Sequence, residues 1–179
     1  NGFRIRNAQR APSPYLNQPG IFRTFNVLGA AFMIRTAVLK ELGYFDEQYF
    51  FGPEDVALST LANKSGYACF VNADVTLVHK ACATLSRTMT ATFPAMVRGS
   101  ILFHGRLSRG AGFVYALFVL IMLVLKYAYA SCKPPQERAV WRRAWRNSIV
   151  AVFSRNTPKE LFIRYFLRPA PPATDIRPG

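Results

Sequence analysis

Glu54 and Asp55 stand side by side in "YFFGPEDVAL", behind an aromatic run, Gly52 and Pro53, in a chain whose formal net charge is +14. Pro53 suits the first position of a helix, which places both acids in its first turn. Two kinds of work are open to them there. Carboxylates at a helix N-terminus complement the helix dipole by about 0.3–1 kcal/mol each, and Asp55 can accept amides that the first turn leaves unpaired. A carboxylate fixed in direction there, beside an aromatic and glycine loop able to cover a ligand, can also take the proton of a sugar hydroxyl as that oxygen attacks. The two roles are compatible, and spacing alone does not choose between them.

The elements that must position the pair are legible around it. "VLGAAFMI", from Val27, has the composition of a buried strand. Thr36 can cap a short helix running through Leu42, and Gly43 supplies a left-handed exit. After the aromatic loop, the helix behind Pro53 turns Ala57, Leu58, Leu61 and Ala62 to one face and ends at Gly66. "YACFV" and "VTLVHK" then read as two short strands. The order strand, helix, loop, helix, strand, strand predicts an α/β domain over residues 26–86. Residues 1–25, punctuated by Pro12, Pro14, Pro19 and Gly20, read as a loop or extended arm.

Charge divides the chain. Residues 1–79 carry seven Lys or Arg against six Asp or Glu, whereas residues 80–179 carry sixteen against three. A basic block serves nucleic acid or an anionic membrane surface, so its composition decides. Residues 111–125, "AGFVYALFVLIMLVL", hold no charge, and extended to Ala130 they give 20 residues, about 30 Å of helix, the thickness of a bilayer core. A buried core helix needs the same composition. Beyond it, Val140, Trp141, Ala144, Trp145 and Ile149 share one helical face while Arg138, Arg142, Arg143 and Arg146 take the other, which suits a headgroup layer. Arg106 and Arg109 before the run and Lys133 and Arg138 after it leave its orientation, spanning or in-plane, undecided. Residues 87–168 are therefore expected to be a basic, helical, membrane-associated region, and 169–179 a disordered Pro-rich tail. No groove-reading motif supports nucleic acid as a partner. Cys69, Cys82 and Cys132 form no metal or disulfide pattern and read as free thiols in a reducing compartment.

Residues 26–80 resemble the second half of the catalytic domain of family 2 inverting glycosyltransferases, particularly the bacterial rhamnosyltransferase-like group. The ordered pieces are Gly29 to Arg35, Gly43 to Glu47, Phe50 and Phe51, Glu54 and Asp55, Gly66 and Tyr67, and Val78 and His79. The resemblance implies a partial GT-A, Rossmann-like fold lacking its N-terminal nucleotide-binding half. It implies Asp55 as the general base on the acceptor, with Glu54, Phe51 and Gly52 around that acceptor. It also implies His79 as a ligand of a divalent ion, Mg²⁺ or Mn²⁺, under the nucleotide-sugar donor; without the family, His79 is one imidazole at a strand end. Two departures stand out: Ala57 occupies a place where relatives often carry a second acid, and no Asp-x-Asp metal motif occurs in the sequence. The chain by itself is thus expected to show no sugar transfer. "FPAMVRGSILFHGRLSRG" and the apolar helix behind it resemble the membrane-associated extension of enzymes that glycosylate lipid-linked or cell-envelope acceptors, which implies the cytoplasmic face of a bacterial inner membrane. His104, in that stretch, is expected to meet headgroups or solvent. The alternative is a non-catalytic membrane-anchoring or interaction protein derived from the same fold.

Overall fold

The computed structural model describes residues 19–75 and 85–167. The chain forms two compact units, one of residues up to Glu47 together with Pro53–Ser86, the other of Gln48–Gly52 together with the chain from Arg87 onward. Residues 1–18, most of the expected strand at 75–80 including His79, Cys82, and the tail at 169–179 lie outside the described residues.

The first unit contains β1 (Ile21–Thr24), α1 (Thr36–Glu41), α2 (Glu54–Lys64) and β2 (Cys69–Asn72). β1 pairs antiparallel with β2, Ile21 opposite Asn72 and Thr24 opposite Cys69. The pair is closed at one end by the Gly20 amide donating to Asp74 Oδ1 at 2.8 Å and the Ala73 amide donating to the Gly20 carbonyl at 2.9 Å. Strand and helix are thus mixed here, but among the described residues the sheet has two antiparallel strands and is not the Rossmann-like sheet expected. Part of the segment expected to be an arm supplies β1. The expected strand from Val27 to Ile34 is irregular, because its amides go to side chains of α2 rather than to a neighbouring strand.

The helix ends follow local chemistry with small corrections. Arg35, not Thr36, is the N-cap of α1, and no side chain caps it. Gly43 makes the left-handed exit at φ +76. Pro53 stands at the N-cap of α2 rather than inside it, and Gly66 follows its end at φ +86. The face of α2 that is buried carries Leu58, Ser59 and Ala62, while Leu61 is exposed.

The second unit is helical: α3 (Leu85–Leu107), α4 (Arg109–Tyr129), a 3-10 turn at Ala130–Cys132, α5 (Pro135–Val152) and α6 (Pro158–Phe166). Pro94 sits inside α3 and has no amide to give the carbonyl four residues back. That carbonyl, of Thr90, accepts instead from Asn147 Nδ2 of α5 at 3.1 Å. Beside this link Phe93 stacks on Trp145 with centroids 5.0 Å apart, and Trp141 lies 5.5 Å from Trp145. The two tryptophans therefore cover a neighbouring helix with part of their surface, and α5 buries small residues, Ala144, Ser148 and Ala151. Its Arg138, Arg142 and Arg146 stay exposed as the amphipathic pattern predicts, whereas Arg143 is half-buried and Val140, expected on the apolar face, is exposed.

α3 and α4 meet through glycine. The Ser108 side chain caps α4 by accepting from the Ala111 amide at 3.0 Å. One turn on, Gly112 is buried so closely that a Cβ there would lie 2.6 Å from Gly105 Cα. Half-buried His104 takes part in this contact: its ring stacks on Tyr115 at 3.8 Å and its Nδ1 lies 2.8 Å from the Ser100 carbonyl. α6 is fixed by a capping box, Thr157 accepting from the Glu160 amide while Glu160 accepts from the Thr157 amide.

Gly112→Ala must push backbone apart and should cost about 1–3 kcal/mol in denaturant unfolding. Gly110→Ala, where nothing lies within 4 Å of the added carbon, should change stability by less than about 1 kcal/mol. In the first unit the Tyr67 hydroxyl donates to Glu41 Oε2 at 2.6 Å, and this bond holds the phenol above its ordinary value of 10.0. A raised value in the folded state adds stability that is complete below the ordinary tyrosine range and is lost as pH climbs through the folded value. Ultraviolet titration should place Tyr67 ionisation above the ordinary tyrosine value, and Glu41→Gln should lower it.

Candidate functional site

α2 presents a polar stripe, Asp55, Ser59 and Asn63, at intervals of four residues. Each member holds one backbone group of the irregular segment 25–29. Asn63 Nδ2 donates to the Phe25 carbonyl at 2.8 Å, Ser59 Oγ accepts from the Val27 amide at 3.1 Å, and Asp55 Oδ2 accepts from the Gly29 amide at 2.7 Å. Four residues of helix rise about 6 Å and two residues of extended chain span about 6.6 Å, so the two repeats stay in step over three rungs. Ser59 Oγ also donates to the Asp55 carbonyl at 2.8 Å, which ties the rungs along the helix.

Asp55 is thus fixed twice, since its Oδ1 accepts from the Val56 amide at 2.8 Å. It does accept backbone amides, as the structural reading of the sequence expects, yet the main one comes from 26 residues away rather than from the first turn alone. Gly29 is what permits the approach: a Cβ there would stand 3.3 Å from Asp55 Oδ2. An ionised carboxylate offers about four acceptor positions. Two are used by these amides, so the carboxylate keeps capacity for a hydroxyl proton while its direction is set.

Glu54, beside it, is half-buried, and its Oε2 is fully covered with no hydrogen-bond partner among the described residues. A buried carboxylate oxygen without a donor is costly, and such groups in folded proteins are few.

Phe51 and Gly52, expected in the same site, are grouped with the helical unit, whereas Glu54 and Asp55 belong to the first unit. Phe51 packs on Phe162 with centroids 4.9 Å apart and touches Phe50 edge to face at 5.0 Å. It adopts φ +62 and Gly52 φ +93. A left-handed conformation costs a residue with a Cβ about 1–2 kcal/mol, which the ring contacts of Phe51 offset. His79 lies outside the described residues. Among the described residues no group of three or more His, Cys, Asp or Glu is placed to hold a metal ion, and the ligand that the resemblance implies, His79, is not among those residues. Cys69 and Cys132 are free thiols.

Sequence reasoning missed the stripe. Its signature, three short polar side chains at i, i+4 and i+8, is present in the sequence, but apolar periodicity on the same helix masks it.

No model of a known protein family matches the chain, and neither does any curated protein or solved structure.

Asp55→Ala removes the acceptor of the Gly29 amide and should destabilise the first unit by about 1–3 kcal/mol. Asp55→Asn keeps one oxygen for that amide and should cost less. Gly29→Val, which crowds the carboxylate, should resemble Asp55→Ala. Equal unfolding midpoints for all three variants and the parent chain would show that the rung carries no weight.

Proposed function

We propose that this chain is the acceptor-side part of an inverting sugar transferase that works at a membrane, and that Asp55 is its base. The observation that carries this reading is the carboxylate of Asp55, pinned by the Gly29 amide at the start of α2 and left with free acceptor positions. The hydroxyl oxygen of a glycan or lipid-linked acceptor attacks the anomeric carbon of a nucleotide-sugar. Its proton passes to Asp55, and the bond from that carbon to the diphosphate breaks on the opposite face, which inverts the centre. A carboxylate is a weak base, so its contribution depends on being aimed, and the amide at 2.7 Å aims it. Glu54, half-buried beside Asp55 in the first turn of α2, is assigned to the acceptor because of that adjacency and not through its covered Oε2. No step is assigned to a divalent ion, since the described residues assemble no ligand set for one.

The membrane part of the reading is supported by α4. Arg109–Cys132 is long and apolar enough to cross a membrane, and only 6% of its most apolar stretch is buried, unlike the core helix of a soluble protein. The cytoplasmic face of a bacterial inner membrane, implied by the resemblance, is part of the proposal. A second reading, a membrane-anchored protein without catalysis, draws on the same rung: a carboxylate that clamps residue 29 has a structural task already.

Asp55→Asn, made in the longest natural form that carries residues 26–86, separates the two. The transferase reading expects a loss of about 10²–10⁴-fold in sugar transfer to a hydroxyl acceptor, with membrane association and folding retained. Transfer at the parent rate by the Asn variant would leave the non-catalytic role for Asp55.

A further inference from the structure

α4 has two unlike halves. At 100° per residue, Phe113, Val114, Leu117, Phe118, Ile121 and Leu125 fall within one half-turn of arc, and all are exposed, Phe113 at 72% and Phe118 at 59%. The opposite arc is occupied by the molecule itself. Gly112 meets Gly105, Tyr115 stacks on His104, Lys126 lies over the Trp145 ring at 4.9 Å, and Tyr127 accepts from Arg142 Nη2 at 3.1 Å. Only one side of this helix is free to meet lipid.

The same contacts set levels along α4. Gly105 and His104 of α3 lie beside its first turns, while Phe93 of α3 stacks on Trp145, which lies beside Lys126 near its end. α3 and α4 therefore run antiparallel. Arg98 stands between these tie points, about 9 Å of helix from His104 and about 7.5 Å from Phe93, level with the middle of α4. Its Nε donates to the Asn156 carbonyl at 3.3 Å, which brings the exposed Arg155 to that level too. Were α4 to cross a bilayer, both guanidinium groups would be carried to the middle of the hydrocarbon, where charged side chains are costly. With α4 parallel to the surface they stay on its polar side.

We infer that the helical unit binds an anionic phospholipid bilayer in the plane, with the exposed half of α4 among the acyl chains and α5 at headgroup level. Charge complementarity names the lipid. Arg138, Arg142 and Arg146 of α5 are exposed, and residues 80–179 hold sixteen Lys or Arg against three acids. An amphipathic surface of this composition binds by apolar burial together with attraction to anionic headgroups. The inference uses the helical unit alone and does not depend on the role given to Asp55.

The full chain, with Cys69, Cys82 and Cys132 replaced by Ser, tests it when synthesised in the presence of sealed vesicles of phosphatidylcholine with one-third phosphatidylglycerol. Single cysteines placed by Arg109→Cys and Pro134→Cys, both exposed and off the arc assigned to the acyl chains, mark the two ends of α4. Both should react with a membrane-impermeant maleimide from outside, and protection of either end until detergent is added would mean a crossing helix and overturn the inference. Binding should fall at least tenfold on vesicles of phosphatidylcholine alone; equal binding overturns the anionic surface. Ile121→Glu, on the exposed arc, should retain helicity by circular dichroism and lose at least tenfold in vesicle binding. Undiminished binding by that variant, or a dimer in solution that shields Phe118→Cys from the maleimide without lipid, counts equally against it.

Discussion

The first unit depends on three polar side chains of α2 that take hold of an irregular stretch of backbone. Asp55, Ser59 and Asn63 satisfy groups of Gly29, Val27 and Phe25 that a strand would otherwise give to a sheet neighbour. A backbone group buried without a partner costs about as much as a lost hydrogen bond, so the segment must pair with something. A helix can serve because four of its residues advance nearly as far as two extended ones. The solution relies on short polar side chains, and glycine at position 29 leaves the carboxylate room at 2.7 Å, since a Cβ there would crowd Asp55 Oδ2 at 3.3 Å.

The clamp bears directly on what Asp55 can do. A surface carboxylate on a free helix end samples several rotamers, and each ordering step in a reaction must be made against that freedom. Here two amides hold the group before any acceptor arrives. Structural and catalytic roles therefore need not compete, since the bond that steadies residues 25–29 is also the bond that orients the carboxylate. Glu54 differs, because its buried oxygen gains nothing from the described residues and contributes no stability of that kind.

Legibility in the sequence followed locality. The helix of residues 54–64, its glycine exit and the helix from Thr36 were readable because glycine exits and apolar spacing act within a few residues, although neither helix carries the side-chain cap that the sequence offered. Val27–Ile34 was misread because its apolar composition suits a strand, while its partner is a polar stripe more than twenty residues ahead. β1 was missed for a related reason, as "IFRT" follows a Pro-rich stretch and gains its identity only from β2. The basic helix α5 was legible as amphipathic, but not that Trp141 and Trp145 would rest on Phe93, beside Pro94 within α3. Of the candidate site, the acids were evident from type and position; the glycine that makes room for one of them was noticed only as part of a motif.

The far end of α4 shows how a basic segment and an apolar one can share a boundary. Lys126 over Trp145, Lys133 over Trp141 and Tyr129, and Arg142 over Tyr127 place each cation against an aromatic face within 6 Å. Such pairs stabilise by about 0.5–1 kcal/mol when exposed and more when water is excluded. They also restrain long side chains, which lowers the ordering cost of meeting a headgroup. Aromatic rings favour the level where hydrocarbon gives way to water, and cations favour the headgroups just beyond it. Because Lys126 with Trp145 and Arg142 with Tyr127 join α4 to α5, and Lys133 in the turn between them meets a ring of each, that level is built into the packing of the unit and does not await the membrane.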